Sequence, residues 1–155
     1  MVDNTTLKTE FPDVFKLELD LLQGIEAVID LKEGVKPRFC KSRPIPFAQV
    51  EQAICKHVFD GELEPVDQSD WVAPVVVVTK KDRGICICAD FKMTMNPHLY
   101  MQMKFLTLAN GESFTKLDLA CAYKQMKVAT ESQKYLTINT HLGLYKCCRL
   151  SFGIA

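Results

Sequence analysis

The sequence predicts an α+β fold, and three observations carry that prediction. Residues 75–79 are a β-branched run that returns, after a charged turn at residues 80–84, through residues 85–91, the pattern of a β-hairpin. Val50, Ala53, Ile54, Val58 and Phe59 recur at helical spacing until Asp60-Gly61 stops them. A second hairpin pattern follows late in the chain, with residues 135–139 and 144–149 flanking a turn at residues 140–143.

The elements follow in order. Residues 1–35 carry eight acids and three bases and form an acidic leader, whereas residues 36–155 carry eleven acids and sixteen bases. Within the leader, residues 10–15 read as a loop and residues 24–31 as a strand centred on Val28 and Ile29, closed by a turn at Glu33-Gly34. Pro37, Pro44 and Pro46 hold off regular structure until Phe47, where the helix begins. Residues 63–65 lead into Ser69-Asp70-Trp71 and the first hairpin. Residues 102–109 predict a short helix, and Asn110-Gly111 breaks the chain before a strand that carries Asp118. There is no internal repeat and no low-complexity tract.

Composition bounds the function classes. At 155 residues, with 48% apolar and 25% charged residues, the chain is long enough for a globular domain with a core. Residues 1–10 are polar and the longest aliphatic run, residues 75–78, is far too short to span a bilayer, so an intracellular protein, cytoplasmic or nuclear, with no membrane partner is expected. Seven cysteines are an odd number, and Cys86-x-Cys88 and Cys147-Cys148 read as reduced core thiols, with a zinc site as the alternative should the two pairs face each other. The net charge of zero argues against nucleic acid as a partner, while the basic body argues for it. Lys36, Arg38, Lys41, Arg43, Lys80, Lys81 and Arg83 are either solvated surface or phosphate contacts.

Asp118 is the most informative residue. Leu117 and Leu119 flank it with side chains that favour burial, and an ionised carboxylate in such a strand costs several kcal/mol unless a cation meets it. A divalent metal is one answer; the other is an aspartate capping the helix that starts near Ala120.

The segments FPDVF, KPRFCKSRPIP, ELEPVDQSDWVAPVVVVTKKD, ICADFKMTMN, FTKLDLACAYKQM, KYLTINTHLGLY and RLSFGIA, in that order, resemble the reverse transcriptase of gypsy-like LTR retrotransposons. The resemblance implies the fingers and part of the palm of a right-hand polymerase, with residues 36–112 fingers-like, residues 113–155 a partial palm, and residues 1–35 a connector. It implies template-directed nucleotidyl transfer on an RNA or DNA template-primer, with carboxylates holding a pair of Mg²⁺ ions about 3.5–4 Å apart. By resemblance Asp118 is the catalytic, metal-binding carboxylate and the Leu119 carbonyl a further metal ligand. Lys80, Tyr123, Phe152 and Gly153 match nucleotide-binding positions, Tyr123 being the steric gate beneath the sugar; a core tyrosine is the plain alternative. Asp90, Phe91 and Lys92 match the segment along the template strand.

The departures are as informative. Cys86 stands where such enzymes carry an arginine that pins the triphosphate, and a thiol cannot replace a five-donor guanidinium. Arg83 replaces a turn glycine and Ser151 a proline. The hairpin bearing the other two carboxylates lies beyond Ala155 in the family. The expectation is therefore a truncated, degenerate polymerase fragment that is catalytically incompetent alone, prone to self-association or in need of a complementing polypeptide. A non-catalytic nucleic-acid or protein binding module, or an incomplete gene model, is the alternative. Residues 113–155 are expected to be the looser half, because the strand carrying Asp118 lacks a neighbour.

Overall fold

The computed structural model describes residues 4–12, 15, 21–45, 47–79, 85–100 and 121–154. The chain forms helix α1 (Asn4–Glu10), strand β1 (Glu26–Ala27), helix α2 (Phe47–Phe59), strands β2 (Leu63–Val66), β3 (Val72–Thr79), β4 (Ile85–Ala89) and β5 (Lys127–Val128), helix α3 (Thr130–Gln133), and strands β6 (Thr137–Thr140) and β7 (Gly143–Cys147). Mixed α and β structure is thus as the sequence reads. The expected turn at residues 80–84, helix at residues 102–109 and strand of Asp118 lie outside the described residues.

Helix α2 forms where the spacing places it. Val50 and Ile54 are fully buried, and the stop at Asp60-Gly61 is a helix end in which the Gly61 N–H donates to the Val58 carbonyl while Gly61 takes φ +66. Val58 and Phe59 are corrections: they continue the apolar spacing yet are 37% and 90% exposed, because they are the last two residues of α2 and the face it buries ends with Ile54.

Strands β2, β7, β6, β3 and β4 lie side by side in that order as one sheet. The two hairpins are antiparallel, β3 with β4 and β6 with β7, and β3 pairs parallel with β6. β3 changes partner along its length, pairing with β6 over Val72–Pro74 and with β4 over Val75–Thr79. Pro74 sits at that change, where its missing N–H costs least. Pro65 is likewise tolerated because, among the described residues, β2 lies at the edge of that sheet and pairs with β7. Glu64 lies opposite Lys146 in that pairing and the two side chains meet at 3.0 Å.

Several boundaries differ from expectation for physical reasons. The strand expected over residues 24–31 shrinks to β1, which pairs parallel with β5, Glu26 meeting Lys127 at 2.7 Å. Val28 is 58% exposed, while Ile29 is buried and Leu31 packs partly against the core; the Ile29 N–H donates to the Ser132 hydroxyl at 2.9 Å instead of to a strand. β4 stops at Ala89 because Phe91–Met93 coil into a 3-10 turn. β6 starts at Thr137 because Lys134–Leu136 form another. The second hairpin's turn is held by Thr140, whose hydroxyl accepts from the Leu142 N–H and donates to the Gly143 carbonyl.

The main core gathers Leu63, Trp71, Ala73, Val75, Phe91, Met95, Val128, Leu136, Ile138 and Cys147 from every part of the chain. The sheet therefore takes strands from both sides of residue 112. Because β6 is covered on both flanks, by β7 and β3, whereas β4 pairs with β3 alone among the described residues, β6 amides should exchange more slowly than those of β4 in hydrogen-exchange measurements. The reverse order would show that the sheet opens from its centre. The expected order, with β6 slower, would run against the looser-half expectation for Thr137–Cys147; the strand of Asp118 on which that expectation rests lies outside the described residues.

Candidate functional site

Four of the motif residues come together through the backbone. At the end of β4, Ala89 presents its carbonyl to Gly153, where an added Cβ would stand 2.8 Å from that oxygen. Gly153 takes φ +98 and its carbonyl accepts a 2.6 Å hydrogen bond from Asn96 Nδ2. This contact holds Phe152 beside Tyr123, the two rings meeting edge to face at 5.2 Å. Both stay open to solvent, at 40% and 47%, so Tyr123 is not a core tyrosine. Asp90 follows Ala89 directly, donates its N–H to the Pro74 carbonyl, and binds Arg43 at 2.8 Å.

Phe91 and Lys92 part company. Phe91 is 0% exposed and belongs to the core, so its side chain has no surface to offer a ligand, whereas Lys92 is exposed. Lys80, Asp118 and Leu119 lie outside the described residues.

Behind the Tyr123–Phe152 pair lies a cluster that sequence reasoning missed. Glu62 Oε2 accepts from Lys124 Nζ at 2.7 Å and meets His57 Nδ1 at 2.6 Å. His57 is in the last turn of α2. Arg149 donates to the carbonyls of Asp60 and Lys124. These four residues rim a cavity of ≈ 50 Å³ floored by Leu63, Ile87, Ala89 and Ile138. Lys124 is 62 residues from Glu62, and no local pattern links them.

Burial pushes the Glu62 carboxyl up, but hydrogen bonds from His57 and Lys124 and their charges outweigh it and hold it at about 2, against 4.5 ordinarily. A carboxylate whose pKa is depressed in the folded state contributes stability above its unfolded value and loses it as pH falls through the folded one. Unfolding free energy should therefore fall between about pH 4.5 and 2 by roughly 1–3 kcal/mol from this group, after solvent screening. Denaturant titrations at several pH values should show this loss in the natural chain and a flatter profile in Glu62→Gln. Equal slopes would remove Glu62 from the acid response.

Burial favours the protonated form of three thiols, Cys88, Cys147 and Cys148. Burial pushes Cys147 up to about 12, and burial with a Cys86 contact raises Cys88 to about 11. Cys86 and Cys88 share one face of β4 with sulfurs 3.6 Å apart. Among the described residues no group of three or more His, Cys, Asp or Glu side chains is placed to hold a metal ion. Among the same residues no helix is long and apolar enough to cross a membrane.

No protein-family model matches the chain. The fold is that of part of a reverse transcriptase. Over 97% of its length the chain superposes on the native prototype foamy virus protease-reverse transcriptase with a TM-score of 0.76 at 19% identity, spanning 22% of that chain. The foamy viral protease-reverse transcriptase in complex with RNA/DNA hybrid matches over 99% of the chain, with a TM-score of 0.72 at 16% identity and 23% of that chain spanned. In sequence, the chain is 34% identical over 160 aligned residues to the uncharacterized protein K02A2.6 of Caenorhabditis elegans, a match that covers 96% of this chain and 13% of that protein. The chain thus corresponds to a small part of each of these longer proteins.

Proposed function

We propose that these residues are the fingers and the beginning of the palm of a gypsy-like retroelement reverse transcriptase, and that they hold a nucleic-acid template-primer without catalysing extension on their own. The observation that carries the reading is the convergence of Ala89-Asp90 with Phe152-Gly153 and Tyr123, three separate motif segments, on one surface. The fold likeness to an enzyme solved with RNA/DNA hybrid supports the nucleic-acid partner. In this reading Lys92 and Lys80 contact phosphates, Phe91 anchors the template segment from the core, and Asp90 is set by Arg43. Asp118 and the Leu119 carbonyl offer hard oxygen ligands suited to Mg²⁺. No catalytic step is assigned to these residues by themselves. Cys86, in place of an arginine, favours binding over catalysis.

Binding of the purified chain to an RNA/DNA hybrid should weaken with salt, log affinity against log salt giving a slope of only a few units, about one unit smaller in Lys92→Ala. Affinity indifferent to salt, or extension of a primed template that vanishes in Asp118→Ala, would overturn the reading.

A further inference from the structure

The turn that carries Tyr123, Ala122–Gln125, has little of its own to hold it. It is a four-residue 3-10 turn with no buried residue and no side-chain cap, and it is entered through Cys121 at φ 50, a left-handed conformation costly for a non-glycine residue. Its firmest charged tether is Lys124, the residue next to Tyr123, bound to Glu62 at 2.7 Å. Further ties include the Leu22 N–H to the Gln125 carbonyl at 2.8 Å and a longer contact from Arg149 to the Lys124 carbonyl at 3.4 Å. Glu62 also reaches the second aromatic ring by its backbone. Its carbonyl accepts from the Cys148 N–H at 2.9 Å, just past the end of β7 and four residues before Phe152.

We propose that Glu62 is a positioning residue that brackets the two segments bearing Tyr123 and Phe152, its carboxylate gripping one and its carbonyl the other, so that the aromatic pair stays assembled on the surface. His57 meets the same carboxylate oxygen at 2.6 Å and so secures the end of α2 to the bracket; its own contact with Lys124 Nζ is longer, at 3.5 Å, and adds little to the grip on the aromatic pair. The functional meaning rests on the nucleotide-side reading of Tyr123 and Phe152, but the bracket is a property of the free chain. It is tested without nucleic acid.

The experiment is solution NMR of the free protein, reading the ring-to-ring cross-relaxation between Tyr123 and Phe152 together with the amide protection of β6. Glu62→Gln keeps the backbone contact and removes the charge, and Lys124→Met removes the partner. In each, the equilibrium between assembled and parted rings should shift by about tenfold toward the parted form, read as weakened cross-relaxation, while β6 stays protected. The double variant should lose no more than either single one. His57→Gln should leave the ring contact intact. An undiminished ring contact in folded Glu62→Gln and Lys124→Met would overturn the proposal, as would a loss of contact that follows β6 protection in every variant, including His57→Gln. Failure of nucleic-acid binding would count against the proposed function and leave this result standing.

Discussion

Phe91→Ala should destabilise the fold by about 3–5 kcal/mol, the largest loss expected from any single truncation here. Phe91 is the largest side chain among the fully buried described residues, and it sits in the core with Met95, Leu136 and Val75. Its backbone also matters, since its carbonyl accepts the Thr94 N–H that closes the 3-10 turn after β4. Alanine leaves the turn free to form but opens a cavity that close-packed neighbours fill only in part. Against a total stability of about 5–15 kcal/mol for a domain, such a loss unfolds a sizeable share of the molecules. Urea titration should show a lower midpoint at unchanged slope, with Phe91→Leu recovering most of it. Lys92→Ala, one residue on and exposed, should leave the midpoint unchanged, separating the core member of the motif from its surface member. A loss below about 1 kcal/mol for Phe91→Ala would mean that the turn does not dock on the core as described.

Gly153→Val should release the carboxyl-terminal segment from β4. Two costs coincide at this position. A φ of +98 is one that a β-branched residue strongly resists, and its Cβ would fall 2.8 Å from the Ala89 carbonyl, a backbone atom fixed by the sheet. The strain, about 1–3 kcal/mol from the backbone alone, is relieved most easily by letting residues 152–154 swing away. That motion gives up the Asn96 hydrogen bond and separates Phe152 from Tyr123. Ring-to-ring cross-relaxation should disappear while the main sheet stays protected from exchange. Gly61→Ala is the matched control: Gly61 also has positive φ, but an added Cβ there meets open space, so only the conformational cost remains. Equal behaviour of the two substitutions would show that the approach to Ala89 is not close.

Much of the local structure was legible in the sequence. The β-branched run of β3 and the spacing of Val50, Ala53 and Ile54 each encode an element within a dozen residues, because burying alternate or every third or fourth side chain is a local requirement. The motif residues Asp90, Tyr123, Phe152 and Gly153 were legible as a set through the resemblance their segments carry, although their roles were not derivable from pattern. That Phe91 is core while Lys92 is surface follows from how the turn after β4 rotates, which the expected continuation of the strand to residue 91 missed.

The sequence by itself determined the hairpins, the helix with its stop at Gly61, and the mixed α and β class. Only the tertiary structure decided that β6 joins β3 in parallel, that Gly153 lies against Ala89, and that Glu62 meets both His57 and Lys124. The reason is physical. Periodicity reports which face of an element avoids water, but a pairing across sixty residues is chosen by shape and charge complementarity between surfaces that exist only after those faces have been buried.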